Sequence, residues 1–185
     1  MSAASNLLSD GPTDNVDWLI PGCRAGDRDA QRTLYERCLP TVHRLSVRMV
    51  GVQDAPDVTQ QTFLRAFTRF DLYDERAKFE TWLYRLAVNE ALQLLRKRKR
   101  WSQPTFDNKN FEPADESPPL GAAAEQREIL EQALSRIDPE LRSVFLLKES
   151  EGLSYRDIAE ATGIPEGTVG SRLNRARAEL QEHLK

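Results

Sequence analysis

Residues 153–180 read LSYRDIAEATGIPEGTVGSRLNRARAEL. Ser154 and Asp157 stand three apart ahead of Ile158 and Ala159, as in a capping box with Asp in place of the commoner Glu. Gly163 supplies a turn, Ile164 plugs it, and a longer helix is expected from about Glu166 to Leu184. A short helix, a glycine turn and a second helix make a helix-turn-helix, with the small Ala159 where the two would cross. On the second helix Val169, Leu173, Ala176 and Leu180 form an apolar stripe at helical spacing. Gly167, Ser171, Asn174, Arg175 and Ala178 then face the other way, flanked by Arg172 and Arg177. Gly167 and Gly170 cost a helix about 1 kcal/mol each relative to alanine, and the arginines crowd like charge. Packing alone explains neither feature. Small residues let a backbone lie deep in a groove, and Ser, Asn and Arg read base edges or phosphates there.

Working back from this motif, Asp138-Pro139 reads as an N-cap followed by a first-turn proline. It opens a helix carrying Leu141, Val144, Phe145 and Leu147, which ends near Gly152. Ile129, Leu130, Ala133, Leu134 and Ile137 mark another amphipathic helix before it. Residues 101–123 (WSQPTFDNKNFEPADESPPLGAA) hold four prolines and an acidic excess without periodicity. That composition is a flexible linker. Residues 124–185 form a domain after it and residues 24–100 one before it. Residues 1–23 read as a tail, largely disordered, with a short apolar patch at Trp18-Leu19-Ile20 cut off by Pro21-Gly22.

In the first domain, Ala30, Leu34 and Cys38 recur at four-residue spacing from Asp27 to Leu39. Pro40 suits the first turn of a separate helix with Val42, Leu45, Val47 and Met49. From about Ala55 to Phe70, Phe63, Ala66, Phe67 and Phe70 make one buried face. Residues 71–78 are a polar loop, and a long helix follows from Phe79 to Arg100. That helix has two apolar stripes, Phe79, Leu83, Leu86 and Tyr84, Val88, Ala91, Leu95. Between them runs a lane of Trp82, Arg85, Asn89, Gln93 and Arg96. An aromatic heading a lane of cations and amides suits unpaired nucleic acid, whose bases stack while the cations follow the backbone. The run from Arg96 to Arg100 adds a salt-sensitive phosphate clamp. Strand signals are essentially absent. The fold class is all-α: two small helical domains on an acidic tether, the second ending in the helix-turn-helix.

The chain has 185 residues and a net charge of −3, which taken alone argues against a nucleic-acid partner. The distribution reverses that. Residues 24–100 carry sixteen Lys/Arg against ten Asp/Glu, while each of the other three segments sums to −3. No apolar run approaches the roughly 20 residues a bilayer span needs, and the N-terminus lacks a signal-peptide pattern. Cys23 and Cys38 have neither metal-ligand nor disulfide-framework spacing, which suits a reducing cytoplasm. His43 and His183 have no partners in sequence, and no glycine-rich phosphate loop is present. Neither an enzyme, a cofactor nor a metal site is expected.

DAPDVTQQTFLRAF (54–67), FETWLYRLAVNEALQLLRKRKR (79–100) and the stretch quoted first resemble, in that order, the two domains of extracytoplasmic-function (ECF) sigma factors. The resemblance implies a dissociable subunit of bacterial RNA polymerase that directs the core enzyme to particular promoters. It implies that the last helix binds the −35 element as duplex through Ser171, Arg172, Asn174, Arg175 and Arg177. The first domain would open the −10 element along Trp82, Arg85, Asn89, Gln93 and Arg96. The loop at 71–78 and the start of the next helix would hold a base flipped from the strand. Asp57, Gln61, Arg65 and Thr68 would dock on the polymerase clamp, and an anti-sigma factor or other regulator is an expected partner. Gln61 and Thr59 stand where the family often has Glu and an aliphatic residue, and Gly170 where it commonly has a cation. The alternative is a stand-alone helix-turn-helix regulator that binds duplex operator DNA without polymerase.

Overall fold

A computed structural model describes residues 16–101 and 122–184. The expected linker and most of the expected tail therefore lie outside the described residues. Eight α-helices make up the described chain: α1 (Ile20–Arg24), α2 (Arg28–Val50), α3 (Ala55–Thr68), α4 (Phe79–Trp101), α5 (Ala122–Arg136), α6 (Pro139–Glu149), α7 (Tyr155–Thr162) and α8 (Glu166–His183). Single 3-10 turns at Asp17–Leu19 and Phe70–Leu72 complete it, with no strand among the described residues.

Two readings of the first domain need correction. The tail expected over 1–23 gives way to structure at Val16, for Val16, Leu19, Ile20 and Cys23 are buried. Pro21 does not cut this patch off, because it lies in the first turn of α1, where its missing N–H has no intrahelical partner to lose. Gly22 has a packing reason: a Cβ there would come within 2.8 Å of the Ala30 Cβ, so only glycine lets α1 lie this close to α2.

The second correction is at Pro40, which starts no new helix; α2 runs through it for 23 residues. An interior proline costs about 3 kcal/mol. Leu34 and Cys38 before it, and Val42, Leu45 and Met49 after it, are all buried in one core. Each fully buried large apolar side chain contributes about 1.5–3 kcal/mol, so keeping both halves seated outweighs the missing hydrogen bond. Asp27 caps the start, accepting from Asp29 N at 2.9 Å. Gly51, at φ +87°, ends it.

α2, α3 and α4 pack mutually around this core. Phe70, Tyr73, Phe79 and Trp82 form an aromatic knot where α3 hands over to α4, with centroid separations of 5.4–6.3 Å. In the second group, Asp138 Oδ1 accepts from Glu140 N at 2.8 Å and Pro139 takes the first helical position, as expected. The Ser154–Asp157 capping box forms in full. Gly163 ends α7 at φ +72°, a left-handed value that favours glycine. Val169, Leu173, Ala176 and Leu180 are the buried residues of α8, while Ile129 departs from its expected stripe and lies exposed.

The two helical groups do not stand apart. α7 lies along α4, and α6 reaches both α2 and α4. At this junction Arg142 of α6 is buried. It donates to Met49 O (2.7 Å) in the last turn of α2, and to Ser135 O (2.6 Å) and Ile137 O (3.2 Å) at the end of α5. Arg48 reciprocates from α2, donating to Ser150 Oγ just past α6 at 3.0 Å. Arg142 thus reaches a helix-end carbonyl of the other group, where carbonyls have no partner within their own helix, while Arg48 answers with a bond to a hydroxyl just past α6.

Candidate nucleic-acid interface

The outer face of α8 carries Gly167, Ser171, Asn174, Arg175 and Ala178, all exposed. Its buried stripe locks the helix rotation, so this face is fixed toward solvent. A Cβ built on Gly167 meets nothing within 4 Å, so no contact inside the protein requires glycine there. Ser171 Oγ donates to Thr168 O at 2.9 Å, leaving the hydroxyl oxygen free to accept. Arg175 is 71% exposed and 3.6 Å from Glu179. Arg172 and Arg177 differ from it. Arg172 is ion-paired to Glu140 at 2.9 Å, and Arg177 to Glu149 at 2.5 Å, both carboxylates belonging to α6. Arg177 therefore ties α8 to α6, a role the helical wheel alone does not reveal.

Along α4 the five residues of the polar lane are brought into line by the helix but are not all open. Trp82 is half-buried in the aromatic knot, and its remaining edge faces α7. The space left between Trp82, Arg85, Glu160 and Ala161 is about 10 Å³. Roughly 10–15 Å³ is needed to admit one water, so no base enters there in this arrangement. Arg85 lies 3.7 Å from Glu160 of α7, and Arg96 3.4 Å from Glu140 of α6. Asn89 is half-buried and Gln93 exposed.

Asp57, Gln61, Arg65 and Thr68 are exposed on α3, as expected. Arg65 is ion-paired to Glu90 of α4 at 2.6 Å. A groove of about 440 Å³ between α3 and α4 joins Asp57 and Gln61 to Gln93, Arg96, Lys97 and Arg100. The α3 face and the end of the lane thus border one surface.

The loop at 71–78 walls a larger cleft of about 790 Å³ with Asp17, Ile20, Pro21 and Arg24. Arg24 fastens the two sides, donating to Tyr73 O (2.9 Å) and pairing with Glu75 (2.7 Å). Tyr73 Oη donates to Ala77 O at 2.9 Å, and Glu75 sits at φ +61°, uncommon for a residue with a side chain. Sequence reading missed residues 17–24 as part of this cleft; the apolar run Leu19-Ile20 was the available signal.

Where the two groups meet, the buried Tyr84 phenol faces the buried Glu151 carboxylate. Burial pushes the Tyr84 phenol up, with the Glu151 charge adding to it. Burial also raises the Glu151 carboxyl, against the pull of Arg44, Tyr84 and Arg48. Burial lowers Arg142 to about 10, which still leaves its guanidinium charged at neutral pH.

A basic lane on one helical group and a helix-turn-helix on the other define a two-part DNA-binding protein of the sigma-factor class. The pattern of Sigma-70 region 2 matches residues 34–101, and that of Sigma-70, region 4, matches residues 127–180. The chain is 31% identical to the ECF RNA polymerase sigma factor SigW of Bacillus subtilis, over 90% of this chain and 95% of that one. It is 33% identical to the ECF RNA polymerase sigma-E factor of Escherichia coli K12, over 96% and 97%. Among solved structures it is similar to the sigma factor RpoE of Bartonella quintana in complex with the anti-sigma factor NepR. There the TM-score is 0.69 and the identity 26%, over 83% of this chain and 95% of that one. CnrH, in complex with the cytosolic domain of CnrY, shares the fold at a TM-score of 0.68 and 24% identity, over 92% and 97%. The chain belongs to the ECF sigma factors, which are transcription initiation factors.

Proposed function

We propose that this chain binds the core of bacterial RNA polymerase in the cytoplasm and directs it to particular promoters, as a non-enzymatic subunit without a cofactor. The single observation that carries the reading is the outer face of α8. Ser171, Asn174 and Arg175 project from a helix whose opposite stripe is fully buried. Such a face enters the major groove of the −35 duplex, with Arg172 at its margin once it leaves Glu140. Arg177, tied to Glu149, supports the helix and touches at most a phosphate.

The lane Trp82, Arg85, Asn89, Gln93 and Arg96 acts on the opened −10 element, and the cleft behind residues 71–78 accepts a base turned out of the stack. Asp57, Gln61, Arg65 and Thr68 meet the polymerase. The sigma factor RpoE of Bartonella quintana, solved with the anti-sigma factor NepR, supports an anti-sigma partner here. Run-off transcription with purified core polymerase tests the reading. Promoter-specific transcripts should appear only when chain and core are combined. A chain that fails to bind core, yet binds duplex DNA tightly alone, would instead be an independent regulator.

A further inference from the structure

The loop at 71–78 holds a conformation that its own sequence does not favour. Glu75 sits at φ +61°, a left-handed value that suits glycine, and no other described residue with a side chain does so. Such backbone persists only where its surroundings impose it, and it gathers at binding sites. Inside the loop, Tyr73 Oη donates to Ala77 O at 2.9 Å and Arg76 N to Asp74 Oδ1 at 3.2 Å. Those bonds shape the loop without placing it. Placement comes from α1, where the two terminal nitrogens of Arg24 divide between Tyr73 O (2.9 Å) and the Glu75 carboxylate (2.7 Å). α1 is itself firmly seated. Val16, Leu19, Ile20 and Cys23 are buried, and a Cβ on Gly22 would come within 2.8 Å of the Ala30 Cβ on α2. Gln31 of α2 donates to Cys23 O, the carbonyl next to Arg24, at 3.4 Å.

The geometry points to Arg24 as a positioning residue for base selection: from α1 it fixes the loop that walls the cleft of about 790 Å³. This rests on the sigma-factor reading and on that cleft as the seat of the turned-out base. With both terminal nitrogens committed to the loop, Arg24 acts through Glu75 and the Tyr73 carbonyl, not on the base. A lysine in its place keeps the charge but has no planar fork to span the two acceptors. Selection by shape needs walls held closely by their supporting groups. Loss of the fork lets the loop widen and admits bases that it would otherwise exclude. The contacts assigned to α8 and to the α3 face lie on other elements and stay as they are.

The test is run-off transcription by the full-length chain with core polymerase, from a promoter library randomised across the −35 and −10 elements. A barcode within each transcript identifies its template. Wild type, Arg24→Ala, Arg24→Lys and Arg32→Ala are compared. Arg32, exposed on α2 and paired to Glu36, controls for the loss of one cation from this helical group. Wild type should favour one base at a −10 position read by the cleft. Arg24→Ala should lower that preference about five-fold, Arg24→Lys by less, and Arg32→Ala not at all. Preferences in the −35 element and at the other −10 positions should not change, whereas a merely loosened fold would spare none of them. Where Arg24→Ala loses helicity, Arg24→Lys decides by the same criterion. Equal preferences in the Arg24 variants and wild type, or a uniform loss across all positions, would overturn the positioning role while leaving the sigma reading intact. Absence of transcripts from every form, wild type included, would overturn the sigma reading itself. A wild type indifferent to every −10 base would overturn the cleft as a base site, and the role of Arg24 with it.

Discussion

Trp82 occupies two environments at once, and a single substitution separates them. Its ring sits 5.4–6.2 Å from those of Phe70, Tyr73 and Phe79, so truncation removes core packing as well as a stacking surface. Trp82→Ala should cost about 2 kcal/mol of stability, less than the 3–5 of a fully buried tryptophan, because the ring is only half-buried. It should impair promoter opening, read by permanganate reactivity of unpaired thymines, more than closed-complex binding. Trp82→Phe keeps the packing and an aromatic face, and should recover most of both. Equal loss of the two steps in Trp82→Ala would remove the melting role. Gly170 offers a cleaner case, since a Cβ there lies 3.6 Å from the Tyr155 ring, an ordinary contact. Gly170→Arg should therefore fold normally and tighten −35 duplex binding. Its salt dependence should steepen by about one counterion, measured by titration at several salt concentrations.

Among the elements, the helices with explicit end signals were legible and the one with a misleading signal was not. Asp138-Pro139, the Ser154–Asp157 box and Gly163 each act through two or three neighbouring residues, so local sequence contains the whole cause. Pro40 is also a local signal, but its outcome depends on whether distant side chains keep both flanks seated. Pro40→Ala restores a donor for Glu36 O and should stabilise the protein by about 1–2 kcal/mol in urea unfolding. The gain is smaller than the roughly 3 kcal/mol interior cost because the unfolded chain also regains freedom. The face of α8 was readable from periodicity alone. That Arg177 serves α6 was not, since Glu149 lies 28 residues away.

At the level of the whole molecule, the junction between the two helical groups was hidden from sequence. Arg48 and Ser150 stand 102 positions apart, and each looks like an ordinary polar surface residue on its own helix. Glu151 gives the junction a pH dependence with a definite sign. Its folded pKa is raised by burial, so the packed form binds that proton more tightly than the chain with Glu151 in water. Its contribution is fully present below the ordinary carboxylate pKa and is lost as pH rises through the raised value. Arg44, Arg48 and Tyr84 face the carboxylate, and Asp17, Lys78, Glu80 and Asp157 line the adjoining cleft. Urea midpoints should therefore fall as pH rises above the ordinary carboxylate range in wild type, by an amount that Glu151→Gln removes. An identical slope in the variant would assign the dependence to another group.

The cover that α7 places over Trp82 also makes the molecule report optically on itself. Glu160 and Ala161 border one edge of the half-buried indole across a space of about 10 Å³, about the minimum for one water. Separation of α4 from α7 would wet that edge and shift its emission to longer wavelength. Trp18, exposed beside the Arg37 guanidinium, is already in water and should contribute a constant background, and Trp101→Phe removes the third indole from the signal. The colour of tryptophan fluorescence, followed as urea is added, would then report the parting of α7 from α4 without an attached dye.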